Sequence, residues 1–143
     1  MSLEKLFELT PHGIDVVAGE GFPYPWGGLY GGHIVAQSLR AASSTVEDGF
    51  LPHSVRAYFI RRGDNTETVR YEVDRIRNGR SFCTRRVVAR QSNGAILNLE
   101  ASYQLPEGSP EISSVAIASN IPQPDDLAPA DTWSPHIEQR EIP

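Results

Sequence analysis

The sequence predicts an α+β domain in which one long central helix is wrapped by a curved antiparallel sheet. Three observations carry that class. A strongly apolar helical stretch, residues 31–46, follows a run of glycines. Residues 53–105 read as strands, punctuated by two Asn-Gly dipeptides, Asn78-Gly79 and Asn93-Gly94, and Asn-Gly is the strongest short hairpin signal. The last segment, 95–105, alternates cleanly, with Ala95, Leu97, Leu99, Ala101 and Tyr103 on one face, as a strand with one buried side requires.

Taken in order, residues 3–9 and 14–17 are expected to be two short strands around a turn at Thr10-Pro11-His12-Gly13. Residues 19–32 hold six glycines, two prolines and four aromatics, Phe22, Tyr24, Trp26 and Tyr30. They read either as a surface loop with packed rings or as a flap over an apolar ligand. The helix over 31–46 carries Ile34, Val35, Ala36, Leu39, Ala41, Ala42 and Val46, too apolar for a surface helix. One polar stripe, His33, Gln37, Arg40 and Ser44, recurs at helical spacing and faces something other than the core. After Pro52, strands are expected over 53–62, 68–77, 80–91 and 95–105. The last three form a meander joined by tight hairpins, and the natural packing wraps that sheet around the preceding helix.

At 143 residues the chain is expected to hold one domain, with residues 1–105 as its body and 106–143 as an acidic, proline-rich tail or linker. The tail has seven of the 11 prolines and sets Arg140 alone against seven acidic residues, a composition that cannot build a core. The body is near neutral, with 12 basic and 11 acidic residues, which argues against a nucleic-acid partner. The lone cysteine, Cys83, allows no internal disulfide and fits a reducing, cytoplasmic compartment. No stretch reads as a secretory signal or a membrane span.

Free N–H groups at a helix N-terminus attract an anion or a polarised carbonyl oxygen, and Gly31 and Gly32 would let one approach closely. Close packing of the helix start on a strand would call for the same glycines. His33 is the imidazole placed near that end, where it could act as a base. Gln37 and Gln104 cannot take a proton near neutral pH, but each can hold a water. Alternation puts Gln104 on the face opposite Leu97 and Leu99. The basic run Arg75, Arg77, Arg80, Arg85, Arg86 and Arg90 reads as a solvated strand face or as a receiver of phosphates. His12, His53 and His136 lack the spacing of a metal site, no Gly-x-Ser-x-Gly is present, and Cys83 reads as a small packed thiol.

Three segments, Gly31 to Gln37 (GGHIVAQ), Pro52 to Phe59 (PHSVRAYF) and Asn78 to Val87 (NGRSFCTRRV), closely resemble the N-terminal half of acyl-CoA thioesterase II, with order and spacing kept across roughly residues 20–105. The resemblance implies a hot-dog fold and hydrolysis of acyl-CoA thioesters to fatty acid and coenzyme A, with no cofactor. It implies substrate contacts at Gly31, Gly32, Tyr58 and Arg80. In that family the acid–hydroxyl–glutamine trio that activates water lies in a second hot-dog half. The pseudo-repeat between halves carries the acid's helix position onto Gln37 and the glutamine's strand-end position onto Gln104, so this stretch lacks the acid. With His33, these are the candidate catalytic residues. Two other readings compete: a non-catalytic acyl-thioester-binding or structural half, and a hot-dog dehydratase or hydratase, which would need a His placed with an Asp or Glu. A lone hot-dog sheet has open edges, so a dimer of such domains, or pairing with a separate second half, is expected.

Overall fold

Residues Leu3–Leu6 form one helical turn, α1, and a hairpin of β1 (Leu9–Gly13) and β2 (Val16–Gly19) follows it. The computed structural model describes residues 3–116, 118–134 and 136–142. Both the strand expected over 3–9 and the turn expected at 10–13 are displaced. Leu, Glu and Lys favour the helical turn. The corner falls at Ile14 and Asp15, where Asp15 takes φ +54°, a conformation that aspartate tolerates. Arg75 grips that carboxylate through Nε and Nη2 at 2.9 and 2.8 Å. Pro11 lies in an edge strand, the place in a sheet where a missing N–H is tolerated.

The long helix, α2 (Gly31–Ser43), stops short of residue 46. The hydroxyls of Ser43, Ser44 and Thr45 turn back onto the carbonyls of Leu39, Ala41 and Ala42, each at 2.8 Å, and compete with further helical bonds. Four long strands follow, β3 (Leu51–Phe59), β4 (Val69–Asn78), β5 (Phe82–Gln91) and β6 (Gly94–Gln104). They join the first hairpin in one antiparallel sheet of order β1-β2-β4-β5-β6-β3. The segment expected as a strand over 53–62 is shifted to 51–59, because the amides of Ile60 and Arg61 both turn to the single carbonyl of Ile96. Both Asn-Gly sites are hairpins. At the second, Ser92 and Asn93 make the corner and Gly94 follows with φ +106°. At the first, the Gly79 amide donates to the Phe82 carbonyl at 2.9 Å, an approach that a side chain at 79 would block.

One face of the sheet is buried beneath α2. Ile34, Ala41 and Ala42 of the helix meet Tyr71, Val87, Leu97, Leu99 and Tyr103 of the strands, all at 4% exposure or less. The helix covers β3 poorly. Val55, Ala57 and Phe59 share the face of Ala101, Leu99 and Leu97, yet Val55 and Phe59 are 43% and 61% exposed. No helix among the described residues is long and apolar enough to cross a membrane.

A buried arginine fixes the far end of α2. Arg85, 2% exposed, donates from Nε to Thr45 Oγ1 (2.7 Å) and from Nη2 to the Thr45 carbonyl (2.9 Å) and Asn78 Oδ1 (2.8 Å). Its Nη1 reaches the carbonyls of Arg77 and Thr84 at 2.9 and 3.0 Å. The cation thus sits at the carbonyl-rich end of the helix, where the peptide dipoles favour it.

The chain divides into two compact units, Met1–Pro106 and Glu107–Pro143. In the second, the proline-rich tail, a 3-10 turn at Pro124–Asp126 and a two-residue ladder of β7 (Pro129–Ala130) with β8 (Gln139–Arg140) are fastened by Arg140. Its Nη1 donates to the carbonyls of Pro124 and Leu127 at 2.7 and 2.6 Å.

Replacing Arg85 by Ala strips donors from five acceptors around the helix end. We expect a loss of about 3 kcal/mol in unfolding free energy, read by urea denaturation. A change below about 0.5 kcal/mol, the range of ordinary surface substitutions, would show that the anchorage contributes nothing.

Candidate active site at the start of the long helix

The glycine-rich segment that leads into α2 is held through its backbone by one backbone and one side-chain donor. Leu29 donates to the Gly63 carbonyl at 3.0 Å, and Arg62 Nη2 donates to the Trp26 carbonyl at 2.5 Å. Gly28 is needed for that grip, since a Cβ there would lie 2.6 Å from Arg62 Nε. No side chain caps the helix start at Tyr30, so the amides of Gly31 and Gly32 have no helical acceptor. Phe59 packs so closely that a Cβ on Gly31 would stand 3.0 Å from its ring. At this end of the helix lies an open cleft of about 330 Å³, lined by Leu29, Gly31, Ile34, Phe59, Ile60, Arg61, Arg62 and Gly63. The arrangement sets apolar side chains and the Gly31 amide, which has no helical acceptor, beside two arginines.

Phe22, Tyr24, Trp26 and Tyr30 form a cluster centred on Tyr24. That ring stacks on Trp26 at 5.1 Å and meets Phe22, Tyr30 and His33 at 5.2, 5.8 and 6.0 Å. The four rings pack on one another, with Trp26 and Tyr30 43% and 39% exposed.

The predicted polar stripe splits in two. Arg40 and Ser44 are exposed, whereas His33 and Gln37 are 4% and 1% exposed and converge on one atom, the Leu6 carbonyl of α1. His33 Nε2 donates to it at 2.9 Å and Gln37 Nε2 at 2.7 Å. Gln37 Nε2 also reaches the Glu20 carbonyl at 3.4 Å, and Gln37 Oε1 accepts from the Tyr71 hydroxyl at 2.5 Å. Gly19 makes room for the amide, since a Cβ there would lie 2.6 Å from Oε1. Burial raises the Tyr71 hydroxyl pKa well above its ordinary value, so it stays a donor. Burial also lowers His33 below the usual histidine range, against the smaller opposing pull of the Leu6 bond. The ring is therefore neutral near pH 7, with its proton on Nε2. His33 Nδ1 is buried without a hydrogen-bond partner among the described residues.

The structure does not gather the predicted site residues in one place. Gly31 lines the cavity, with Gly32 beside it and exposed. Tyr58 and Gln104 lie on the sheet face away from α2, Tyr58 paired with Asn98 and Gln104 with Leu51 and Phe82. Arg56 stands 4.8 Å over the Tyr58 ring. Arg80 lines a second cavity near Thr45, at the opposite end of α2. The basic run divides likewise: Arg75, Arg86 and Arg90 pair with Asp15, Asp74 and Glu72, while Arg85 is buried.

Residues 22–104 match the model of the acyl-CoA thioesterase N-terminal domain. The chain belongs to that family. It is 35% identical over 127 residues to human acyl-coenzyme A thioesterase 8, covering 89% of this chain and 40% of that protein. The solved tesB protein of Mycobacterium avium subs paratuberculosis superposes with a TM-score of 0.75 at 37% identity, over 87% of this chain and 48% of that one. A hot-dog protein of Alicyclobacillus acidocaldarius superposes with a TM-score of 0.80 at 20% identity, over 92% and 50%, and shows the fold alone. The chain thus spans about two fifths to one half of the length of these relatives. Its first unit is a hot-dog domain.

Sequence reasoning missed Leu6, Tyr71 and Arg62. Tyr71 was legible as an inward position between Val69 and Val73 on an alternating strand, but Leu6 contributes only a carbonyl, which no residue type announces. Two outcomes test the buried cluster. Tyr71→Phe leaves Gln37 Oε1 without its donor and should cost about 2 kcal/mol of stability; an unchanged denaturation midpoint would contradict it. The lowered His33 pKa makes the unfolded chain bind a proton that the folded chain refuses. Its contribution is complete above about pH 6.5, the unfolded value, and is lost as pH falls through the lower folded value. His33→Gln should flatten that part of the stability profile, read by thermal melts between pH 5 and 7.5.

Proposed function

We propose that the hot-dog unit works as one half of a paired site that hydrolyses acyl-CoA thioesters to a fatty acid and coenzyme A. The observation that carries this reading is the cleft at the start of α2, where Leu29, Ile34, Phe59 and Ile60 meet Gly31, whose amide has no helical acceptor, beside Arg61 and Arg62. A thioester carbonyl seated there receives N–H donors where negative charge develops on its oxygen. The acyl chain lies along Leu29, Ile34 and Phe59, and Arg61 and Arg62 face the anionic carrier. Water adds to the carbonyl carbon, the C–S bond breaks, and the departing thiolate takes up a proton to become coenzyme A.

The attacking water needs a base. His33 Nδ1 has no hydrogen-bond partner among the described residues, but His33 is buried and does not line the cleft, and Gln37, with both ends of its amide engaged, holds the helix in place. None of the residues that line the cavity is a carboxylate. We infer that a companion hot-dog unit, a second copy or a separate half, brings one across β3. The exposure of β3 along nearly its whole length, with Val55 and Phe59 open, supports that placement. The same lack of a carboxylate favours a second reading, an acyl-thioester-binding half without turnover. A cytoplasmic setting fits the single buried, unpaired cysteine.

Thiol release from acyl-CoA of several chain lengths, measured with the solution mass of the purified chain, separates the readings. Release from a dimer supports the first, a dimer that binds without release supports the second, and an active monomer refutes the pairing. Val55→Lys places a charge on the open face of β3 and should shift the mass toward monomer in light scattering. Gly31→Val intrudes on the cavity and should lower turnover about a hundredfold with the circular dichroism spectrum kept; undiminished turnover would remove the site from this end of the helix.

A further inference from the structure

The last residue of β5, Gln91, is half-buried and spends its whole side-chain amide on the loop that follows β3. Its Oε1 accepts from the Asp64 amide at 2.8 Å, and its Nε2 donates to the carbonyls of Asp64 and Glu67 at 2.6 and 3.0 Å. We propose that Gln91 is a positioning residue for the site at the start of α2, acting through the loop over residues 63–67. The proposal deepens the function proposed above and rests on it.

Three observations carry the assignment. First, the loop is clamped to the tight β5–β6 corner from two adjacent positions. Besides the Gln91 bonds, the Glu67 carboxylate accepts from the amide and the hydroxyl of Ser92 at 3.2 and 2.9 Å. Asp64 Oδ1 closes the loop on itself, accepting from the amide and the hydroxyl of Thr66, each at 2.7 Å.

Second, the same loop meets the glycine-rich segment at both of its ends. The Gly63 carbonyl takes the Leu29 amide at 3.0 Å, and the Asn65 carbonyl oxygen lies 2.3 Å from where a Cβ on Gly21 would stand. Gly63 is buried and lines the cleft. A Cβ on it would lie 2.7 Å from Leu29 Cδ1 and 3.2 Å from Gln91 Oε1, so glutamine, loop and segment touch in series. Leu29 stands two positions before Gly31, and a shift of the loop therefore moves the amide that faces the thioester oxygen. Gln91 itself does not line the cleft.

Third, the bonding pattern asks for one acceptor and two donors on one long side chain. A glutamate carboxylate offers acceptors alone, lysine and arginine offer donors alone, and the glutamine amide offers both. The side chain thus pairs with Asp64 as a neighbouring strand would, joining a rigid hairpin to a loop that has no strand partner of its own among the described residues.

Gln91→Met keeps the length of the side chain and removes all three bonds. Amide hydrogen exchange of the 143-residue chain, followed by NMR, reads the segment without requiring turnover. The Leu29 amide should exchange about tenfold faster or more, while those of Val87 and Leu99 in the core strands keep the parent's rates. Gln91→Glu should behave alike near neutral pH and regain part of the protection, relative to the parent, at about pH 4, where its carboxyl gains an O–H donor. Gln91→Met should regain none. In thiol release from acyl-CoA, both variants should lower kcat about tenfold with KM within about twofold of the parent, because the misplaced donor acts on charge that develops in the transition state. Unchanged Leu29 exchange in both variants, faster exchange spread equally over Val87 and Leu99, or lost protection with kcat unchanged would each overturn the proposal. A parent chain that releases no thiol counts against the hydrolase reading alone, and Leu29 exchange then still decides whether Gln91 sets the segment.

Discussion

Apart from Ile34, the face that α2 turns to the sheet presents small side chains, Ser38, Ala41 and Ala42, each at 0% exposure, and the strands supply the bulk with Tyr71, Leu97, Leu99 and Tyr103. Small residues let the helix axis come close, and close approach leaves no room for water between helix and sheet. Ser38 Oγ has no hydrogen-bond partner there among the described residues, whereas a larger polar group caught in that layer must find its partners within the protein. Gln37 does so through Leu6, Glu20 and Tyr71, and Arg85 through Thr45, Arg77, Asn78 and Thr84. The two clusters hold the helix near its two ends. Together with the close packing between them, these polar anchors set where the helix start sits and with it the amides of Gly31 and Gly32.

That geometry explains why the fold was more legible than the site. Hairpin dipeptides and period-two alternation report local backbone preference, and β4, β5 and β6 fell where those signals put them. The first hairpin slipped because its corner depends on Asp15 being held by Arg75, a contact spanning 60 positions. The strand before the final meander slipped because its end is decided by the Ile96 carbonyl of a neighbouring strand. The helical stripe was correctly spaced, but spacing does not say whether a polar face looks at solvent, at a ligand or at a carbonyl. Here two members look at a carbonyl and two at solvent. Arg85 did carry a signal: it occupies an inward position between Cys83 and Val87 on an alternating strand, where a solvated arginine has no place.

The cavity at the helix start and the open side of β3 belong together. Phe59 contributes to both, lining the cavity while standing 61% exposed on the strand that α2 leaves uncovered. An apolar wall of this kind is only half built within one unit. The companion unit proposed above would, by covering β3, also complete the wall, so that access to the glycine amides and closure of the sheet edge would be governed by the same surface.

The guanidinium of Arg85 meets five acceptors drawn from three stretches of chain: Thr45 just past the end of α2, the end of β4 and the start of β5. An arginine presents five N–H groups in one rigid plane, whereas a lysine carries three on a tetrahedral head. Lysine at this position would keep the charge and still leave two of the five acceptors dry, and it could not lie flat between the helix end and the hairpin. The requirement at position 85 is one of stereochemistry, with the charge secondary to the plane. Another chain that anchors its helix in this way should be sought by an arginine on the buried face of the corresponding strand, and basic character alone is the wrong query.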